Sequence, residues 1–232
     1  MTKSRYVLLA LLVVAAVSFR IMPYVLGALG LTDVRQFAGF LWNFSPVSAL
    51  FLFCGAHFPE KRWAYGAPLA AMLLSDLGIG LLMNDMSLGI HAAIPAIYGS
   101  YALIVLAGTL VRKLERHLAK NGGAMPTQSW PQRIRTFLTL LAAVAGAGIA
   151  GEVAFFIITN FATWLMQTGY YPHTWDGLMS CYIAGIPFFK NSLQSMPLFA
   201  FVLFGGSALA EAWFPALREQ AAPDSTGQVA LA

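Results

Sequence analysis

The sequence predicts an all-α polytopic membrane protein of about six transmembrane helices with both termini in the cytoplasm. Three observations carry that expectation. Of the 232 residues, 58% are apolar and only 10% are Asp, Glu, Lys or Arg, against roughly 25% charged residues in soluble domains. A soluble globule so poor in charge would expose apolar surface everywhere and aggregate. Apolar runs also recur at lengths suited to a hydrocarbon core about 30 Å thick, and the basic residues collect in alternate loops.

The spans fall at residues 6–22, 45–58, 64–83, 90–111, 136–158 and 182–214. The first follows Lys3 and Arg5. A cleavable signal peptide competes for this segment, but Arg20 and Pro23 follow at once and removal would worsen the charge bias. The second is too short to cross upright. The sixth is overlong and carries Pro187 and Pro197, which predicts a broken or interfacial start. Between the fourth and fifth, residues 112–135 are basic and interrupted by Gly122, Gly123, Pro126 and Pro131, as in a hinge. Residues 1–217 form one transmembrane domain, and 218–232 read as a disordered cytoplasmic tail. The loops at 23–44 and 160–181 are aromatic and nearly uncharged.

Basic residues are retained on the cytoplasmic side during insertion. With the N-terminus inside, that side holds Lys3, Arg5, Lys61, Arg62, Arg112, Lys113, Arg116, Lys120, Arg133, Arg135 and Arg218, and the other holds Arg20, Arg35 and Lys190. Most of the charge therefore sets orientation, and the net +4 calls for no nucleic-acid partner. Cys54 and Cys181 are too far apart in sequence for a metal clip and read as free, packing thiols. No internal repeat marks a transporter built from two halves.

Ionisable side chains inside a span cost at least about 2.5 kcal/mol each and therefore need a partner or a purpose. Asp76, Glu152 and Lys190 are the three clear cases, and all fall in the outer half of their spans. One reading pairs Lys190 with an acid to fix helix register, so that Lys190→Met destabilises the fold by a few kcal/mol unless the acid is neutralised too. The fifth span adds a polar stripe of Gly148, Glu152, Thr159 and Thr163, beside small residues Ala142, Gly146, Ala150 and Ala154 that admit a close neighbouring helix. The functional reading is an outward-opening polar cavity capped by the aromatic loops. Its candidate substrate-binding residues are Asn43, Asp76, His91, Glu152, Asn160, Trp164, His173, Trp175, Lys190 and Asn191, with Trp42, Tyr170 and Tyr171 as further apolar walls. Phosphate loops, HExxH, GxSxG and dinucleotide fingerprints are missing, so no enzymatic role, cofactor or metal is expected.

Particular segments resemble a known family. They are Asn43-Phe44-Ser45-Pro46-Val47-Ser48-Ala49-Leu50, then Gly55-Ala56-His57-Phe58, then 68–76 ending in Ser75-Asp76. Tyr171-Pro172-His173-Thr174-Trp175, Cys181-Tyr182 and Pro187-Phe188-Phe189-Lys190-Asn191 are similar to its C-terminal signature. The family is an uncharacterised bacterial membrane family described only by a provisional transport function. It is in turn similar to the substrate-binding S components of energy-coupling factor (ECF) vitamin transporters. That resemblance implies an S-component-like bundle in the bacterial inner membrane that captures a vitamin or similar small nutrient from outside. It further implies toppling in the bilayer, on an ECF-type ATPase and scaffold module or alone. Two other classes fit the same residues: an ion- or proton-coupled transporter or channel using Asp76 and Glu152, and a membrane enzyme or assembly factor using the histidines.

Overall fold

The computed structural model describes residues 3–31, 43–122, 129–166, 171–214 and 217. The helices are α1 (Lys3–Ala28), α2 (Val47–His57), α3 (Lys61–Leu82), α4 (Ile94–Gly122), α5 (Trp130–Met166), α6 (Trp175–Ala200) and α7 (Gly206–Trp213). A π-helical turn, Phe201–Gly205, joins α6 to α7 in one rod of 39 residues. Five helices are long and apolar enough to cross a membrane, the rod counting once, and α2 is the short exception. No strand occurs among the described residues.

The organising element is α2. Its sequence, VSALFLFCGAH, is apolar all round but for Ser48 until its last residue, and a helix without a polar face must be surrounded. All residues from Val47 to Ala56 are buried, and α2 packs against α3, α4, α5 and α6. Its 11 residues rise only about 16 Å, so it is a core plug and not an independent crossing. Contact with α4 is at backbone distance: a Cβ on Gly55 would overlap the Val105 carbonyl oxygen, and one on Gly108 would overlap that of Leu52.

Below α2 the start of α1 is tied to the end of α2 by one arginine. Arg5 is buried and donates from Nη2 to the His57 carbonyl at 2.7 Å, where a cation also suits the negative end of α2. Its guanidinium lies 5.6 Å from the Phe58 ring centre, while neighbouring Tyr6 meets Trp63 edge-on at 5.1 Å. Arg5 is thus a packed residue as well as one of the basic residues that suggest orientation. In the connection to α3, Arg62 contacts the exposed Glu60 carboxylate at 2.6 Å and holds it below the usual carboxylate range.

Several boundaries differ from those the sequence predicts. Instead of a broken start near residue 182, α6 begins at Trp175, capped by the Thr174 hydroxyl accepting from the Gly177 amide at 3.2 Å, with Asp176 in the first turn. Pro187 and Pro197 lie inside an unbroken helix. Proline is tolerated there because neighbouring helices and local π adjustment absorb the lost backbone bond, and the π turn follows Pro197 closely. Similarly α1 runs through Pro23 to Ala28, α5 continues to Met166, and α4 carries the basic stretch from Arg112 to Gly122 as helix. The rest of the expected hinge, residues 123–128, lies with Trp42, Tyr170 and the expected tail outside the described residues. The small-residue face of α5 is split. Gly148 packs on Met196 and Gly151 on Ile104, whereas Ala142, Gly146 and Ala150 are exposed.

Candidate functional site

Two acids lie deep in the helix bundle, and each sits in its own polar centre. Asp76 is on α3, 2% exposed. It faces Arg20 of α1, whose Nη1 lies 2.5 Å from Oδ1, and Tyr98 of α4, whose hydroxyl donates to Oδ2 at 2.8 Å. The same Arg20 nitrogen donates to Ser75 Oγ, which itself donates to the Met72 carbonyl at 2.8 Å. Arg20 and Asp76 meet at one height because each lies 15 residues beyond a neighbouring helix-end residue, Arg5 and Lys61, about 22 Å along the helix axis. The loop after α3 closes over this centre: Gly89 rests on the Asp76 carbonyl, where any Cβ would collide.

Glu152, on α5, is 1% exposed. Hydroxyls surround it: Ser48 at the start of α2 and Ser192 on α6 lie within hydrogen-bonding reach, and Tyr101 of α4 reaches Ser48 in turn. Its Oε1 is buried, and among the described residues it meets neither a hydrogen-bond partner nor a cation. Tyr101 is clamped between Phe51, stacked at 4.5 Å, and Phe155 at 4.8 Å. Tyr98 and Tyr101 are one turn apart on the same face of α4, so this helix joins the two centres.

The predicted Lys190 pair is not formed. Asp76 takes Arg20 as its counter-charge, and Lys190 is exposed on α6 without a hydrogen bond or ion pair among the described residues. The physical reason is register: Ser192 and Ser195 face inward on α6, and Lys190 falls on the other side. Asn160 is helical, not in a loop. Its side chain donates to the Phe156 carbonyl at 2.8 Å, and its Oδ1 rests where a Cβ on Gly185 would stand. Trp164 donates from Nε1 to the Pro172 carbonyl at 3.0 Å, and its ring meets His173 at 5.4 Å, so these two fasten the α5–α6 connection. Trp175 is 71% exposed. Asn43 adopts a positive φ of 62°, and its carbonyl accepts from Ser195 Oγ at 3.4 Å, which brings it below Glu152 along α6. His91 is half-buried in the turn before α4, and Asn191 is half-buried on α6.

The spaces beside these centres are apolar. A gap lined by Ala16, Leu50, Phe51, Pro68, Met72 and Ser75 is too tight for a water molecule. An open groove of about 630 Å³ runs along α1 past Ala15, Phe19, Ile21, Met22, Val25 and Leu26. Neither is the polar, aromatic-capped cavity expected of these residues, because the acids are enclosed by their own partners. Among the described residues no three His, Cys, Asp or Glu side chains gather as a metal site would require.

The residues that sequence reasoning missed are the partners: Arg20, Ser48, Ser75, Tyr98, Tyr101 and Ser192. Arg20 carried a signal, since an arginine fourteen residues into the first apolar run needs a counter-charge as much as an aspartate does. The hydroxyls carried none, because serine bonds its own helix readily and tyrosine is common in membrane proteins for its ring alone.

No match is found among curated proteins or among solved structures. A family profile matches residues 1–217, and the chain belongs to that family, a family of unknown function (DUF6580).

Proposed function

We propose that this protein is a membrane transport protein, an S-component-like substrate-binding subunit or a solitary transporter that takes up a vitamin or similar small nutrient. One observation carries the reading: polar side chains from α2, α4, α5 and α6 converge on Glu152 inside an otherwise apolar bundle, and the carboxyl keeps one oxygen unsatisfied. Convergent polar groups in an apolar surround are what a small-molecule site requires, and an ionisable group held in a membrane interior marks a substrate or ion path more often than a scaffold.

On this reading both termini face the cytoplasm of a bacterial inner membrane and substrate enters from the opposite side. Asp76 with Arg20 anchors α1 and α3, while Glu152, Ser48, Ser192, Asn191 and Asn43 form the recognition surface. In the described conformation that surface is shut, so binding must be coupled to separation of α5 and α6 from α2. An ECF-type module is the partner such a subunit would use. The test is a ligand screen by thermal shift on the purified full-length chain, with vitamins and their precursors as probes. A stabilising ligand whose effect is lost in Ser48→Ala and Glu152→Ala supports the reading. Absence of any hit, together with no uptake in cells or vesicles, overturns it.

A further inference from the structure

Donor counting at Glu152 leads to a more specific statement. Ser192 Oγ has a single proton within reach of both the Phe189 carbonyl, at 3.0 Å, and the Glu152 carboxyl, and giving it to one leaves only lone pairs for the other. Ser48 lies between Tyr101 and Glu152, and a chain from Tyr101 to Ser48 to the carboxyl supplies one donor. A carboxylate here would therefore hold at most two donated hydrogen bonds, from Ser48 and Ser192, with Oε1 bare. Groups face it from every element packed on α5: Ser48 from α2, Tyr101 from α4 and Ser192 from α6. None of them is a cation. Arg20, the cation nearest in kind, is engaged by Asp76, and Lys190 is exposed. An uncompensated carboxylate in such a place is far more costly than the acid form.

We propose that Glu152 is a proton-binding site, its carboxyl held as the neutral acid in the closed bundle and donating to Ser192 Oγ. Protonation removes the uncompensated charge, and the acid O–H can donate to Ser192 Oγ while Ser192 keeps its bond to the Phe189 carbonyl. Release follows opening. When opening admits water to the carboxyl, the O–H bond breaks, its electron pair stays on the carboxylate and the proton passes to water. The acceptor sits on the helix built to bend, since Ser192 lies between Pro187 and Pro197 and above the π turn at Phe201–Gly205. Coupling this proton to nutrient movement rests on the transport reading. The proton site itself does not.

The experiment is infrared difference spectroscopy on the full-length protein in lipid vesicles, titrated through neutral pH in H₂O and D₂O. At neutral pH the wild type should show the C=O stretch of a protonated carboxyl, displaced in D₂O. Glu152→Gln should abolish it, Ser192→Ala should shift it by removing its acceptor, and Tyr98→Phe, whose lost hydroxyl bonds Asp76 and not Glu152, should leave it in place. A spectrum without that band at neutral pH, or a band that survives Glu152→Gln, overturns the proposal. A band that moves in Tyr98→Phe assigns the proton to Asp76 and overturns it equally. If the band behaves as expected and no nutrient binds, the proton site stands and the transport reading fails. If a nutrient binds and the band is absent, the reverse holds.

Discussion

At the Asp76 centre an arginine, a serine and a tyrosine close around one carboxylate, whereas at the Glu152 centre the carboxyl meets hydroxyls alone and leaves Oε1 bare. Both acids are buried to the same extent and lie on helices that touch α4. What separates them is the counter-charge. A charge pair in a low-dielectric interior is locked, because either member alone is a desolvated ion. A lone acid can change state by losing or gaining one proton, so the first centre is suited to holding the bundle and the second to responding.

The largest effect should come from exchanging acid for amide at the locked centre. Asp76→Asn leaves Arg20 with no carboxylate, and removing one partner of a buried pair costs about 3–5 kcal/mol. Thermal unfolding in detergent should show a large loss of stability. The double variant Arg20→Met with Asp76→Leu should recover most of it, and equal instability of single and double variants would remove the pair from its structural role.

Next comes the contact that brings Ser48 and Tyr101 together. Gly108→Ala forces a methyl group against the Leu52 carbonyl, a backbone group that cannot rotate away. Overpacking of this kind costs about 2–3 kcal/mol. Because the strain falls between α2 and α4, it should also shift the infrared band assigned to Glu152. A destabilised protein with that band unmoved would mean that α2 does not set the geometry of the Glu152 centre.

Tyr98→Phe removes one hydrogen bond to a charged oxygen while Arg20 remains, an expected loss of about 1.5–2 kcal/mol. The smaller loss relative to Asp76→Asn measures how much of the locked centre is charge and how much is hydrogen bonding. Glu152→Gln is the sharpest contrast. Gln matches the neutral acid in shape and can donate to Ser192 Oγ, so stability should stay within about 1 kcal/mol of wild type. The same acid-for-amide change is thus disruptive at Asp76 and mild at Glu152, and equal melting shifts for the two variants would erase the distinction between the centres.

How much of this was legible beforehand differs between fold and site. The apolar runs located the long helices, since a segment that must sit in hydrocarbon has no other regular option. Their ends were hidden where proline and polar loop residues look like breaks: the same Pro187, Pro197 and Asn160 that signal a turn in water are tolerated in helix when neighbours satisfy the backbone. The α2 segment was recognisably too short to cross, but its place at the centre of the bundle depends on contacts with five other helices. Asp76 and Glu152 stood out because a buried charge is rare. Their partners did not, since Ser48, Tyr98, Tyr101 and Ser192 matter through distances between helices that no spacing along the chain encodes.

Lys190 completes the contrast, because it is the ionisable residue that neither centre uses. Its side chain is exposed on α6, fifteen residues beyond Trp175, and it meets no carboxylate among the described residues. No carboxylate is left unpaired when it goes. Lys190→Met should therefore change stability by no more than about 0.5 kcal/mol, the scale of a surface substitution, and should leave the Glu152 band unchanged. A large loss in Lys190→Met that is restored by adding Glu152→Gln would show that the two residues meet in the folded protein. The counter-charge missing from the Glu152 centre would then be found on α6, and the difference between the two centres would disappear.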